Sequence, residues 1–326
     1  MRIATFNLEN LDLSDRADPP LAERIPVLRP QLERLDADIL CLQEVNAQAA
    51  TNRPHGPRSL DALDALLDGT GYETFHRAST ETRTRHTPLD VHNLVILTRW
   101  PIADHRQYWN DLVPPPQATL VTADPPDAAP REIRWDRPLL YARIDRPAAA
   151  ALHVINLHLR APLAAAIPGQ KEAPFVWKTV TGWAEGYHLS AIKRSGQALE
   201  ARLLIDGIFD ADPGAEIAVV GDMNAEAREM PLRILLADPE ETGNGRLAAR
   251  SLIALEERIP GDARFTVRHG GRRLMLDHLL ASRALAVKCT GAEIHNETLG
   301  DELVGYASVH HSPESYHAPA VATFED

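Results

Sequence analysis

The sequence predicts an α/β fold, and three observations carry that expectation. Short apolar runs rich in β-branched residues recur along the whole 326-residue chain, as buried strands do. These runs repeatedly end in a polar side chain. Between them lie stretches whose apolar residues repeat at helical spacing, and no linker-like composition divides the chain. One domain over residues 1–326 is therefore expected, with irregular insertions near 103–136 and 161–190.

In chain order, RIATF (2–6) is the first expected strand, ending at Asn7 with Glu9 and Asn10 close behind. Leu21, Ile25, Leu28, Leu32 and Leu35 then recur at helical spacing, and Pro26 and Pro30 are expected to start or kink that helix. ADILCLQEV is strand-like and closes on Gln43 and Glu44, while the polar span 46–58 is a loop. Ser59 is the expected N-cap of a short helix through Leu67, stopped by Gly69 and Gly71. VHNLVILTRWPI is another buried strand, closed by Arg99 and Pro101. Residues 110–131 hold three consecutive prolines and then DPPDAAP, so they form an irregular excursion.

RPLLYARID and ALHVINLHLRAP give two further strands, the second ending in Asn156, His158 and Arg160. A helix is expected from near Tyr187 to Phe209. In EIAVVGDMNAE (216–226) the apolar run breaks at Gly221 into Asp222 and Asn224, which sets a carboxylate and an amide side by side at a sheet edge. Helices follow at 229–237 and 246–257. RFTVRHGGRRLMLDHLLAS reads as a hairpin around Gly270 and Gly271 whose second strand carries Asp277 and His278. A last strand follows His317.

Hydrophobic and charged fractions of 44% and 25% belong to a globular chain that buries a core. The formal charge of −12 argues against a broad basic face that coats nucleic acid, though not against a local basic cleft. Cys41 lies inside an apolar run and Cys289 is far away, so a disulfide framework is not expected. No stretch is apolar enough for a membrane span, and MRIATFN enters a strand directly instead of a signal peptide. A cytoplasmic location is the expectation; oligomeric state is not legible.

Asn7, Glu44, Asn93, Asn156, His158, Asp222, Asn224, Asp277 and His317 all fall in or at the edges of strand-like runs, which can converge on one rim of a packed sheet. Together they supply carboxylates, neutral amides and two imidazoles, with no candidate cysteine ligand. Carboxylate and amide oxygens suit Mg2+ or Mn2+, whereas zinc favours a His- or Cys-rich set. Acids and amides with one His–Asp pair suit hydrolysis at phosphorus.

MRIATFNLENL, LCLQEV, NLVILTRWPI, INLHL, VVGDMNAE, RFTV…LDHLLAS and SYHAPAVA resemble, in this order, the motif series of the endonuclease/exonuclease/phosphatase superfamily. The matches run from residue 1 to 324, interrupted by 46–90, 103–136 and 161–214. The resemblance implies a DNase I-like four-layer α/β sandwich, with two packed mixed sheets flanked by helices and the site at one end. It also implies divalent-cation-dependent hydrolysis of phosphodiesters or phosphomonoesters.

Carried over by position, Glu44 matches the principal metal-binding glutamate and Asn7 the asparagine supporting that site. Glu9 stands where relatives vary, as a further candidate ligand. Asp222 matches the aspartate that orients the attacking water or touches metal, and Asn224 the asparagine that holds phosphate or nucleophile. Asn156 resembles a phosphate-contacting asparagine. His158 resembles a histidine that stabilises phosphoryl oxygens or the leaving group, against the rival of a buried structural histidine. Asp277 and His317 match the carboxylate–imidazole pair, in which the carboxylate fixes one tautomer.

Arg160 is a phosphate-binding candidate because a guanidinium fits phosphate oxygens bidentately. Asn93 is a site-lining candidate with a turn amide as its rival. His310 and His311 are expected in an exposed loop. One departure stands out: the usual final motif reads Ser-Asp-His, and here it is Ser315-Tyr316-His317.

A nuclease acting on DNA or RNA is the leading expectation, with Arg160, Lys171, Lys178, Lys193 and Arg194 as a cationic track interleaved with Trp177 and Trp183. A phosphatase or phosphodiesterase of a small phosphorylated metabolite or lipid headgroup is the alternative, which the net acidity favours. Tyr316 raises a second alternative, a non-catalytic phosphate-binding relative.

Overall fold

Two six-stranded sheets pack face to face in the computed structural model, which describes residues 1–14, 17–49, 56–308 and 311–325. The chain builds the first sheet from β1 (Arg2–Leu11), β2 (Ile39–Val45), β3 (His76–Ser79) and β4 (Asn93–Thr98). It then crosses to the second: β5 (Ile102–Tyr108), β6 (Leu139–Ile144), β7 (Leu152–His158), β8 (Glu216–Asp222), β9 (Leu252–Ala254) and β10 (Asp277–Ser282). It returns to the first with β11 (Cys289–Ile294) and β12 (Ala320–Phe324). The spatial orders are β11-β12-β1-β2-β4-β3 and β9-β10-β8-β7-β6-β5. Both sheets are mixed: β1–β2 and β7–β8 are parallel and the other neighbours antiparallel.

Helices α1 (Leu21–Leu35) and α2 (Asp61–Leu67) cover the outer face of the first sheet. Helices α3 (Val180–Ala211) and α4 (Met230–Leu236) cover that of the second. The result is a four-layer sandwich, and strand periodicity assigns every residue to a layer. In β1, Ile3 joins the inter-sheet core while Ala4, Phe6 and Leu8 pack under the helices. In β8, Ala218 and Val220 face the other sheet while Ile217 and Val219 face α3. Extending the same alternation points Asn7, Gln43, Asn156, His158, Asp222 and Asp277 into the inter-sheet layer. The apolar middle layer therefore becomes polar at one end.

Gly221 shows how tightly that end is built. Its φ is +133°, and a Cβ there would lie 2.0 Å from the Leu157 carbonyl oxygen. Only glycine lets β8 approach β7 this closely just before Asp222.

Several local expectations are corrected. β1 runs through to Leu11, with a register irregularity against β2 between Asn7 and Leu11. Pro26 and Pro30 lie inside α1, which continues past both, and the N-cap of α2 is Leu60, not Ser59. The long helix starts at Val180, well before Tyr187. Residues 246–257 are two short 3-10 turns around β9 instead of one helix. The Gly270-Gly271 hairpin pairs Val267–His269 with Arg272–Leu274 only; β10 separates from it and enters the second sheet beside β8. Both cysteines are buried and free, and no helix among the described residues is long and apolar enough to cross a membrane.

Candidate active site

At the polar end of the inter-sheet layer, side chains from both sheets meet. Asn7 on β1 donates from Nδ2 to Glu44 Oε1 at 3.2 Å and to Asp222 Oδ2 at 3.0 Å, so one amide ties the sheets together. Asn224 donates from its backbone to Asp222 Oδ1 at 2.9 Å and from Nδ2 to Oδ2 at 3.0 Å. Asp222 and Asp277 are direct partners across the β8–β10 ladder. Like charges opposite one another in a sheet destabilise it. Burial, and then the Asp277 charge, push the Asp222 carboxyl up to about 7.

His317 meets Asp277 with Nδ1 2.8 Å from Oδ2, which assigns the proton to Nδ1 and turns Nε2 to the pocket. Burial alone lowers its pKa, but the charge and hydrogen bond of Asp277, with Asp222 and Glu44, outweigh that and hold it well above the usual histidine range. His158 behaves oppositely. Burial and the neighbouring Arg137, His92 and His317 hold its pKa well below that range, so it is a neutral imidazole. Its Nε2 lies 3.4 Å from Asp222 Oδ2 and 3.5 Å from Glu44 Oε1.

Backbone conformation at the site is unusual as well. Glu9, Asn10, Glu44, His92 and Asn224 all have positive φ, between 47° and 58°. Left-handed non-glycine residues cluster at functional sites because the surrounding structure must hold them there. Here the holding contacts are visible: Asn10 N–H donates to Glu44 Oε2 at 3.1 Å, and His92 Nε2 sits 2.8 Å from Asn10 Oδ1.

Two overlapping groups of side chains have donor atoms close enough to share one cation: Glu44, His158 and Asp222, and Asp222, Asp277 and His317. The donor chemistry fits a hard divalent ion such as Mg2+ or Mn2+. Asp277 Oδ1 is buried with no hydrogen-bond partner among the described residues, and the three carboxylates here lack a matching set of Lys or Arg ion pairs.

Glu9 belongs to neither group. Its carboxylate is turned aside, accepting from Tyr306 Oη at 2.6 Å and from the Tyr316 N–H at 2.7 Å. Asn156 does not contact the cluster either. Its Nδ2 donates to the carbonyls of Leu42 and Val95, both at 3.0 Å, and its Oδ1 accepts from Gln43, so the amide clamps the two sheets together. Asn93 is the turn amide, holding Leu89 and Val45. Both amides are fully engaged in these internal bonds, Asn156 on the inter-sheet face of its strand and Asn93 on the opposite face from Leu94 and Ile96.

Most members of the expected cationic track have partners within the chain. Arg160 and Lys193 both pair with Asp136, and Arg194 pairs with Glu229 at 3.2 Å. Lys171 lies over the Trp177 ring at 4.9 Å. His311 is half-exposed, and His310 lies outside the described residues. Two residues overlooked in the sequence reach the site. His92 flanks Glu44, with its Nε2 3.9 Å from Oε2. Arg137 is 9% exposed and lays its guanidinium against His158, Nη1 2.6 Å from Nε2. Burial lowers its pKa, opposed by the charges of Glu44, Asp222 and Asp136. It has no carboxylate ion pair among the described residues, and its one sequence signal is the RPLL that opens β6.

Residues 4–301 match the Endonuclease/Exonuclease/phosphatase family. No curated protein matches the chain. Among solved structures, the mannosyl-6-phosphatase Bt3783 of Bacteroides thetaiotaomicron is similar over 100% of both chains, with TM-score 0.60 and 14% identity. A truncated TDP2 of Caenorhabditis elegans gives TM-score 0.58 and 15% identity over 100% of this chain and 97% of that one. The 3' phosphatase NExo of Neisseria, bound to product DNA hairpin, gives 0.52 and 17% over 100% of both. Identities this low establish the shared DNase I-like fold. The family match, which spans nearly the whole sequence, establishes more: this chain belongs to the endonuclease/exonuclease/phosphatase family.

Proposed function

We propose that this protein is a divalent-metal-dependent hydrolase of a compact phosphoester. One observation carries the reading: Glu44, His158, Asp222, Asp277 and His317 form two donor groups that share Asp222 at the polar end of the inter-sheet layer. Glu44 and Asp222, backed by Asn7, would hold Mg2+ or Mn2+. When bound there, the cation supplies charge screening for the phosphate and for the departing oxygen.

The chain's own residues account for the rest. Asp277 fixes His317, and the raised pKa keeps that imidazole positively charged, so its Nε2–H braces a phosphoryl oxygen. Asn224 keeps Asp222 oriented through both oxygens, which suits a carboxylate that positions the attacking water. Arg137 brings a nearly desolvated guanidinium with no carboxylate of its own, and a phosphate oxygen is its natural partner. Neutral His158 lies between Arg137 and the carboxylates and aligns the guanidinium.

The substrate assignment turns on the paired cations. A long nucleic-acid backbone needs free Lys and Arg along its path, whereas Arg160 and Lys193 share Asp136 and Arg194 pairs with Glu229, which weakens the track without cancelling its charge. That favours a small phosphoester. A nuclease is the second reading, supported by the exposed Trp183–Tyr187 pair, whose centroids are 5.6 Å apart.

The test is a panel of p-nitrophenyl phosphate, bis(p-nitrophenyl) phosphate, plasmid DNA and RNA with Mg2+, Mn2+ or EDTA. Turnover of the chromogens, abolished by EDTA and by His317→Ala, is the expected result. Turnover indifferent to both changes would overturn the reading, and cleavage of only DNA or RNA would install the second one.

A further inference from the structure

The replacement of the usual acid by Tyr316 has a structural counterpart at the rim. The Tyr316 ring is buried, pointing not into the pocket but beneath the helix Glu302–Tyr306. Gly305 makes room for it, since a Cβ at 305 would lie 1.9 Å from Tyr316 Oη. Tyr306 packs edge-on against it at 5.4 Å and 72°. The Tyr306 hydroxyl is in turn fixed to Glu9 at 2.6 Å, and burial together with the Glu9 charge pushes the phenol up, so it stays a donor. Glu9 N–H donates to Asn7 Oδ1 at 2.9 Å, and Asn7 holds Glu44 and Asp222.

An exposed tyrosine is ordinary. This one is clamped at both its ring and its hydroxyl, one short hydrogen-bond chain from Glu44, yet it leaves 56% of its surface open. Leu303 and Val304, on the same turn, are exposed apolar neighbours.

We propose that Tyr306 is a specificity-determining residue, a fixed aromatic wall against which the organic group esterified to the phosphate packs. The inference rests on the phosphoester reading of the pocket and narrows it: the favoured substrates are phosphoesters of apolar or aromatic groups. A rigid ring whose position is already set loses little freedom when a ligand lies against it. Glu9, in this arrangement, is a positioning residue for Tyr306.

Calorimetric binding of phenyl phosphate and of inorganic phosphate to the Mg2+-containing protein tests this without requiring turnover. Wild type is expected to prefer phenyl phosphate roughly three- to tenfold, the worth of one aromatic contact. Tyr306→Ala should erase that preference while leaving inorganic phosphate affinity within about twofold of wild type, since the preference is the aromatic term alone. Tyr306→Phe, which keeps the ring and the fold but frees it from Glu9, should retain part of the preference, and it keeps the test open should the alanine variant not fold.

Phosphate bound normally with the same preference in wild type and both variants would overturn the inference alone. Inorganic phosphate that does not bind wild type would instead overturn the phosphoester reading, and this inference with it.

Discussion

Strand β8 begins and ends on a buried carboxylate, and its two ends are built on opposite principles. At the start, Glu216 is answered by two cations of the chain itself: the Arg146 guanidinium on Oε2 and Lys288 Nζ 2.7 Å from Oε1. At the end, six residues on along the same inward face, Asp222 meets Asp277 and Glu44, with amide donors but no lysine or arginine ion pair among the described residues. Burying a charge is tolerable only when it is paired and hydrogen-bonded. Glu216 satisfies that rule internally. Asp222 satisfies it only in part, since the single imidazolium of His317 faces three carboxylates, Asp222, Asp277 and Glu44, and that surplus of negative charge is the condition of a cation-binding site.

The largest effect that separates the two ends should be on turnover. Asp222→Asn and His317→Ala are each expected to lower kcat by about 10^3–10^4, whereas Glu216→Gln should leave kcat per folded molecule unchanged. Equal losses from both acids would erase the distinction.

Stability should show the reverse. Glu216→Gln strands Arg146 and Lys288 and is expected to cost roughly 3 kcal/mol in urea unfolding, while Asp222→Asn in EDTA should hold or raise the midpoint, because a repelling buried charge is removed.

The smallest effect, and the sharpest, is on pH dependence. The Asp222 carboxyl is raised to about 7, against about 3.9 in an unfolded chain. Between those values the folded cation-free protein holds a proton that the unfolded chain has released, so stability falls as pH rises. This contribution is complete below about pH 4 and gone once pH passes the folded value. Urea midpoints in EDTA should therefore drop from pH 5 to 7.5 more steeply in wild type than in Asp222→Asn, and Mg2+ should flatten the wild-type slope. Parallel slopes would show that Asp222 is not under this repulsion.

Much of this arrangement is legible in the letters, for a definite reason. Glu44, Asp222, Asn224, Asp277 and His317 terminate or flank apolar runs, and a polar residue at a buried strand's end has few other places to go. The same signal misleads at Asn156. It points inward like His158 two residues later, but it stands over Gln43 and the backbones of Leu42 and Val95, where its amide is fully engaged. What separates them is what lies across the layer, which belongs to the opposite sheet and not to the local sequence. Arg137 was invisible because a lone arginine before a proline has no period. The partners of the cationic track were not legible because the sequence counts lysines and arginines without their acids, and Asp136, which takes two of them, lies far from Lys193 in the chain.

The β7–β8 ladder runs in unbroken parallel register from Leu152 opposite Glu216 to His158 opposite Asp222. It thus works as a ruler: the separation between an anchoring acid and a reactive one is counted in whole residues. One inserted or deleted residue inside β8 would reverse the facing of everything beyond it, sending either the anchor or the reactive group outward. The excursion at 110–131 is held differently, by a two-residue pairing of Gln117–Ala118 with Arg131–Glu132 and by side-chain contacts to the long helix. Change in that excursion is instead limited by contacts, since Asp111 and Leu112 donate to Glu200 and Leu120 and Ala123 are buried against Leu189, while the span from Glu216 to Asp222 is fixed to the residue.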